Sequence, residues 1–269
     1  MFIKWIKDFL RCIKPIKYRI VMAYIIMFIS ITIMGKIYID TGTLTEVKIG
    51  VLDMLCDVYK NLGILGNTSY MIIIFIFSLS LISVLEYDNK RLCVIRRSSR
   101  KEIIRRQFFY IVIMSFALIF TLIFLGYIVS SIFTGSLNNT WTSIDGTIYK
   151  LLNSPSNWNE ISQNFSTYKI LSYIFLSGFL GLIATGMLIC ILKMFMKNAY
   201  IVAIIILQMY ASVFFDKISL IFKQMHIYMS NLVYPISILR NQVYLLALIL
   251  LLYRLGIYFI EKKDFLDRN

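Results

Sequence analysis

Charge is scarce in this chain, and acidic charge is scarcest: 14 Asp and Glu stand against 28 Lys and Arg, and charged residues make up 16% of the 269. There is one histidine, His226, and the four cysteines, Cys12, Cys56, Cys93 and Cys190, lie far apart with no CxxC among them. That excludes a Cys/His metal cluster or a dithiol redox centre and reads the cysteines as small apolar residues. No G-x-x-x-x-G-K-[ST] occurs, so the chain has no P-loop to cradle nucleotide phosphates. No G-x-S-x-G occurs either, which removes the serine nucleophile elbow. The basic start MFIKWIKDFLRCIKPIKYRI runs into an apolar stretch without an A-x-A cleavage site, and we expect it to be retained.

What the chain has in abundance is apolar side chain. At 59% hydrophobic residues and a mean hydropathy of +0.77 it carries more than a soluble core of this size encloses. Crossing a hydrocarbon layer of roughly 30 Å takes about 20 helical residues. Apolar runs of about that length occur near residues 20–38, 70–85, 108–133, 170–194, 199–215 and 243–260. The expected fold is therefore all-α: one polytopic transmembrane domain, residues 1–269, with six transmembrane helices. The second and fifth runs are short for a straight crossing and need local thinning or anchors such as Tyr70 and Tyr200.

Six spans place both termini on one side, and the distribution of cations says which. The termini and the loops sharing their side hold nineteen Lys and Arg, the opposite loops eight, while acidic residues divide seven and seven. The positive-inside rule puts both termini in the cytoplasm of a plasma membrane, and Ile-, Lys- and Asn-rich usage points to a low-GC bacterium. The net charge of +14 sits in short segments flanking apolar runs, so the expected charged partner is lipid and not nucleic acid.

Between the spans, three segments carry their own patterns. Residues 1–19 place Phe2, Trp5, Ile6, Phe9, Leu10 and Ile13 on one helical face and Lys4, Lys7, Arg11 and Lys14 on the other, an interfacial amphipathic helix that Pro15 punctuates before the first span. Outside, Thr43-x-x-Glu46 resembles a capping box ahead of Leu44, Val47, Val51, Leu55, Val58 and Leu62, which suggests a short amphipathic helix on the outer surface. Residues 134–167 concentrate Ser, Thr and Asn with Pro155, and we expect irregular structure there. The stretch from Lys217 to Arg240 is broken by Lys223, His226, Asn231 and Pro235, which fits a re-entrant or interfacial pair of short helices sheltered by the bundle.

Few polar residues lie inside the runs. Arg254 is the only charge well inside a span; it lies six residues before Ile260, within snorkelling reach of the cytoplasmic headgroups, or it makes a functional contact in the bundle. Gln208 in the fifth run is a weaker signal. Ser177, Gly181 and Thr185, with Gly178 beside them, form a small-xxx-small stripe that lets a helix approach closely, within this subunit or between two.

The most basic stretch is RRSSRKEIIRRQ, Arg96 to Gln107. Ser99-x-x-Glu102 is a capping box, with the Ser99 hydroxyl able to accept the N3 amide and Glu102 reaching back to the N-cap amide. That starts a helix at Arg100, with Ile103, Ile104 and Phe108 on one face and Lys101, Arg105 and Arg106 largely on the other, running straight into the third span. Topology alone accounts for the charge, but not for a helix start written into the loop.

This layout resembles a family. A basic N-terminal helix, six spans, the IRRSSRKEIIRRQ loop between spans two and three, a broken apolar segment before span six and the IEKKDFL tail are similar to the membrane subunits of ATP-binding-cassette exporters, most of all the permeases of lantibiotic and bacteriocin immunity systems. The resemblance implies that the loop after span two is a coupling helix seated in an ATPase subunit, with Arg97, Ser99, Arg100, Lys101, Glu102, Arg105 and Arg106 as its contacts. It implies a cytosolic ATPase dimer as partner, with ATP and Mg bound there and no cofactor on this chain, and a second copy or a related permease completing an export pathway for an antimicrobial peptide or another amphipathic substrate. Two other classes stand beside it. One is an intramembrane hydrolase of the immunity type, hinted at by EYDNKR, Glu86 to Arg91, although position 87 is Tyr where a second glutamate is needed and the topology puts His226 on the opposite side. The other is a non-transporting immunity or sensor protein that binds peptide at its outer loops.

Overall fold

The computed structural model describes residues 2–42, 50–56, 67–90, 100–153, 155–214, 221–227 and 229–262. Among these every regular element is helical, in keeping with the all-α expectation. Five stretches are long and apolar enough to cross a membrane: Ile3–Ile37, Met71–Asn89, Arg100–Thr134, Thr167–Leu192 and Ile236–Lys262. The chain is a helical membrane protein.

The first stretch joins two helices. Helix α1, Phe2–Ile13, passes through a 3-10 turn at Lys14–Ile16 into α2, Lys17–Gly42. Pro15 has no N–H to donate, so the hydrogen-bond pattern tightens there. The chain nevertheless keeps helical dihedrals at Ile13 and Lys17, so the proline changes the helix without ending it. Helix α4, Asn67–Lys90, runs antiparallel to α2. Helix α5, Arg100–Thr134, has 35 residues and is about 52 Å long at 1.5 Å per residue. It ends where Gly135 takes φ +63°, the left-handed geometry that closes a helix and that glycine adopts without strain.

Helix α8, Thr167–Leu192, is the buried centre of the bundle, with α5 and α12, Ile236–Lys262, packed along it. Its run of small and apolar residues from Leu180 to Met187 is wholly buried. The outward faces of α2, α5 and α12 instead carry exposed Ile29, Phe116, Phe120, Phe124 and Leu250, the surface of a bundle that meets hydrocarbon.

The fifth apolar run forms α9, Asn198–Phe214, only 17 residues and about 25 Å long, below the length of the other five. The broken segment after it contains two short helices, α10, Phe222–Met225, and α11, Met229–Val233, before Pro235. Part of the stretch expected to be broken belongs to the last long helix, which begins at Ile236 with Ile238 and Leu239 donating to the Pro235 carbonyl.

The two ends of the bundle differ. At the end that holds the start of α5, helix α1 lies against α4 and α5, with Phe9 beside Tyr110 and Trp5 beside Phe109. Only part of its expected apolar face is covered: Phe9 is buried, whereas Leu10 is exposed, and Cys12, which was not expected on that face, is buried as well. At the other end a short helix α3, Val51–Cys56, is buried between α2 and α5. We expected it on the outer surface; Met54 instead reaches the Gly35 position of α2, where a Cβ would lie 2.9 Å from its Cε. Thr43, Leu44, Glu46, Val47, Val58 and Leu62 lie outside the described residues.

The connection from residue 135 to 166 is also more ordered than expected. A 3-10 turn at Thr140–Thr142, helices α6, Thr147–Leu151, and α7, Trp158–Ser162, and a second turn at Gln163–Phe165 fold around buried Trp141 and Phe165. Trp158 is buried with them, its ring stacked on Phe165, so three large aromatic side chains give this otherwise polar segment an apolar centre of its own.

Candidate functional site

The basic end of α5 is the place to look, since the sequence concentrates cations there. Arg100, Lys101 and Arg105 are exposed, and Glu102 is half-buried. The start of α5 is tied to the end of α12: Lys101 Nζ lies 2.9 Å from Glu261 Oε1, and Arg100 Nη1 donates to the Glu261 carbonyl at 3.0 Å. The helix is described from Arg100, the expected start; Arg97 and Ser99, and with them the capping box, lie outside the described residues.

Arg106 departs from the expectation. It is not a surface cation but is 2% exposed, and it pairs with Asp88 of α4, itself 3% exposed, at 2.5 Å. Successive residues turn by 100°, so Arg106 falls near the Ile103 and Tyr110 direction, the face packed inward, rather than beside Arg105. The neighbouring Gln107 extends the same layer, donating to Asn89 Oδ1 at 3.1 Å and accepting from Cys190 Sγ at 3.0 Å. Cys190 is therefore more than a small apolar residue: its thiol ties α8 into a polar layer that joins α4 and α5.

A second strand of contacts leaves from the same end. Lys193 Nζ donates to Asn198 Oδ1 at 2.8 Å, and Asn198 Nδ2 donates to Glu86 Oε2 at 3.2 Å. The end of α8, the start of α9 and the end of α4 are thereby joined. Charges buried in pairs and held by further hydrogen bonds resist sliding, because any relative shift leaves a buried charge uncompensated. The exposed cations of α5 thus project from a helix bonded to α4, α8 and α12 at this end.

The small-residue stripe of α8 is filled from within the chain. Ser177, Gly181 and Thr185 are all buried. The Met225 side chain of α10 lies where a Gly181 Cβ would stand, Gln242 of α12 donates to Ser177 Oγ at 3.2 Å, and Thr185 donates to the Gly181 carbonyl at 2.9 Å. Gly181 is 11 residues before Leu192, about 16 Å along α8, so α10 sits near the middle of the bundle. His226 follows Met225 and is buried. Glu86, by contrast, belongs to the layer at the basic end, so the structure does not bring together the two residues that a hydrolase reading needs. Arg254 is exposed on the outer face of α12. Gln208 is half-buried on α9, with a buried Oε1 that has no hydrogen-bond partner.

At the opposite end one carboxylate organises the connection. Asp53 is 2% exposed and accepts from Trp141 Nε1 at 2.5 Å, the Gly50 amide at 2.7 Å and Thr140 Oγ1 at 3.0 Å. Burial raises its pKa, while the bonds from Gly50, Thr147, Trp141 and Thr140 oppose the rise. Sequence reasoning missed this residue. Its signal was a lone acid among Val51, Leu52, Met54 and Leu55, where a carboxylate must be hydrogen-bonded to be buried.

Among the described residues no group of His, Cys, Asp and Glu is arranged to hold a metal ion. No family model, curated protein or solved structure matches the chain.

Proposed function

We propose that this chain is the membrane subunit of an ATP-binding-cassette exporter, carrying an amphipathic substrate such as an antimicrobial peptide across a bacterial plasma membrane, with ATP and Mg held by a separate cytosolic ATPase. The observation that carries the proposal is the start of α5. Three exposed cations, Arg100, Lys101 and Arg105, project from a helix whose next turn is locked to α4 by Asp88–Arg106 and whose first turn is bonded to α12 through Glu261. A force applied there has no loose joint in which to dissipate. It moves the basic ends of α4, α5 and α12 together.

Six crossings belong to the same proposal. Helix α8 ends at the basic end, and α12, which finishes beside Lys101, begins where α11 lies beside the Gln163–Phe165 turn. In this reading α9, helped by local thinning, is the sixth span beside the five longer helices. With six spans both termini lie on the basic side, the cytoplasm by the cation count, and α1 lies along the interface with Leu10 and Ile3 directed to lipid. Met225 and Gln242 fill the α8 stripe, so packing within one subunit already uses it. The partner that completes the pathway, a second copy or a related permease, meets another face.

Co-purification tests this. An affinity-tagged chain is expected to bring down a cytosolic P-loop ATPase, and the triple charge reversal Arg100→Glu, Lys101→Glu, Arg105→Glu is expected to abolish the complex while the protein still extracts as a folded monodisperse species. Charges at such a rim govern encounter and pairing, so loss on reversal should be graded with salt. An ATPase that stays bound to the triple variant removes the coupling role from α5. If no ATPase is recovered with the wild type, the chain is a peptide-binding membrane protein instead.

A further inference from the structure

A large groove lies on the outer surface of the bundle between α2, α4 and the start of α9, with a volume of about 940 Å³. Its walls are apolar: Met22, Ala23 and Ile26 on one side face Ile72, Phe75 and Leu79 on the other. The volume lies within the range of ligand sites, about 300–1,000 Å³. From Ile72 to Glu86 the groove follows α4 for 14 residues, about 21 Å, which is the depth of one leaflet of hydrocarbon, roughly 15 Å, with the glycerol layer added.

Apart from Ser80 midway along α4, the polar side chains on these walls gather at one end, the end of the bundle that also carries the basic start of α5. There the rim is Arg19, Ser83, Glu86 and Asn198. Ser83 already donates to the Leu79 carbonyl at 2.9 Å, and Glu86 already accepts from Asn198, whose own oxygen accepts from Lys193. Arg19 is exposed, one turn above the lysine-bearing segment Lys14–Lys17. A rim with an exposed guanidinium and an acid engaged by an amide, above an apolar slot one leaflet deep, has the polarity of a lipid molecule.

We propose that this groove is a binding site for an anionic glycerophospholipid of the adjacent leaflet, with its phosphate on the Arg19 guanidinium and an acyl chain between α2 and α4. Guanidinium presents paired N–H donors that match phosphate oxygens, and the apolar walls of the groove match an acyl chain. The site needs only the membrane location of the chain and is independent of the transport proposal. Bound there, the lipid sets the spacing between α2 and α4, the helix that carries both Glu86 and Asp88.

The test uses the full-length chain in detergent, phosphatidylglycerol as the probe, and native mass spectrometry to count retained lipid. Wild type is expected to hold one lipid per chain through washing. Arg19→Glu should lower retention by about tenfold or more, Arg19→Lys should keep part of it, and Arg254→Glu, an exposed cation on α12, should leave it unchanged. Ala23→Trp, which fills the slot, should lose the lipid even though Arg19 remains. The proposal is overturned if Arg19→Glu and Arg254→Glu retain equal lipid, if inorganic phosphate displaces the lipid as well as excess phosphatidylglycerol does, or if a Leu79→Cys variant cross-links chain to chain in vesicles, which makes the groove a contact between two copies.

Discussion

Arg106 Nη2 and Asp88 Oδ2 meet at 2.5 Å across eighteen residues of sequence, both side chains almost wholly buried between α4 and α5. The pair fixes the register of two long helices at the end where the chain is most basic. A buried pair is sensitive to the loss of one partner in a way that a surface pair is not, because the survivor is left charged in an apolar setting. Arg106→Met alone, or Asp88→Leu alone, is expected to destabilise the protein by about 3–5 kcal/mol. The double replacement should cost far less than the sum. Thermal unfolding in detergent of the four proteins closes the cycle, and additive losses would show that the two side chains do not act as a pair.

Lys101 and Glu261 are about half exposed, so their ion pair is a different kind of contact. Glu261→Gln is expected to change stability by less than about 1 kcal/mol, as measured by the same unfolding assay. A much larger loss would mean that the join between α5 and α12 is buried in the working protein by something beyond this chain.

Gly181 leaves room for the Met225 side chain in the centre of the bundle. Gly181→Leu should push α10 off α8 and destabilise by roughly 1–3 kcal/mol, typical of overpacking. Met225→Ala in the same background should recover part of the loss. No recovery would place the strain elsewhere.

Asp53 accepts hydrogen bonds from Gly50, Thr140 and Trp141. Asp53→Ala leaves those donors buried without an acceptor, at about 1–3 kcal/mol for each group left unsatisfied. The connection from Thr140 to Phe165 should then become accessible to added protease while the long helices stay protected. Unchanged cleavage in this region would show that aromatic packing alone holds it.

How much of this was legible beforehand differs by element. The long helices were, because a 20-residue apolar run has few alternatives to a helix once it leaves water, although the last one begins at Ile236, seven residues before the expected Val243. The capping box expected to start α5 has Ser99 outside the described residues, so of that local signal only the helix from Arg100 onward is on view. Arg106 was not legible: by charge it reads with Arg105, and only the presence of Asp88 one helix away makes its inward direction affordable. The stripe of Ser177, Gly181 and Thr185 announced a close approach without naming what approaches, since any small-residue groove accepts a methionine or a helix equally well. Asp53 and Trp141 were invisible together, being 88 residues apart.

By itself the sequence determined that the chain is helical, that it is made for a membrane, and where its cations concentrate, because each of these follows from the hydrophobicity and charge of neighbours along the chain. The tertiary structure alone decided which polar groups are buried together, what fills the α8 stripe, and which of the basic residues at α5 remain exposed. Those depend on pairings between residues far apart in sequence, and an ion pair, a packed methionine or a hydrogen-bonded carboxylate has no signature until both partners are in place.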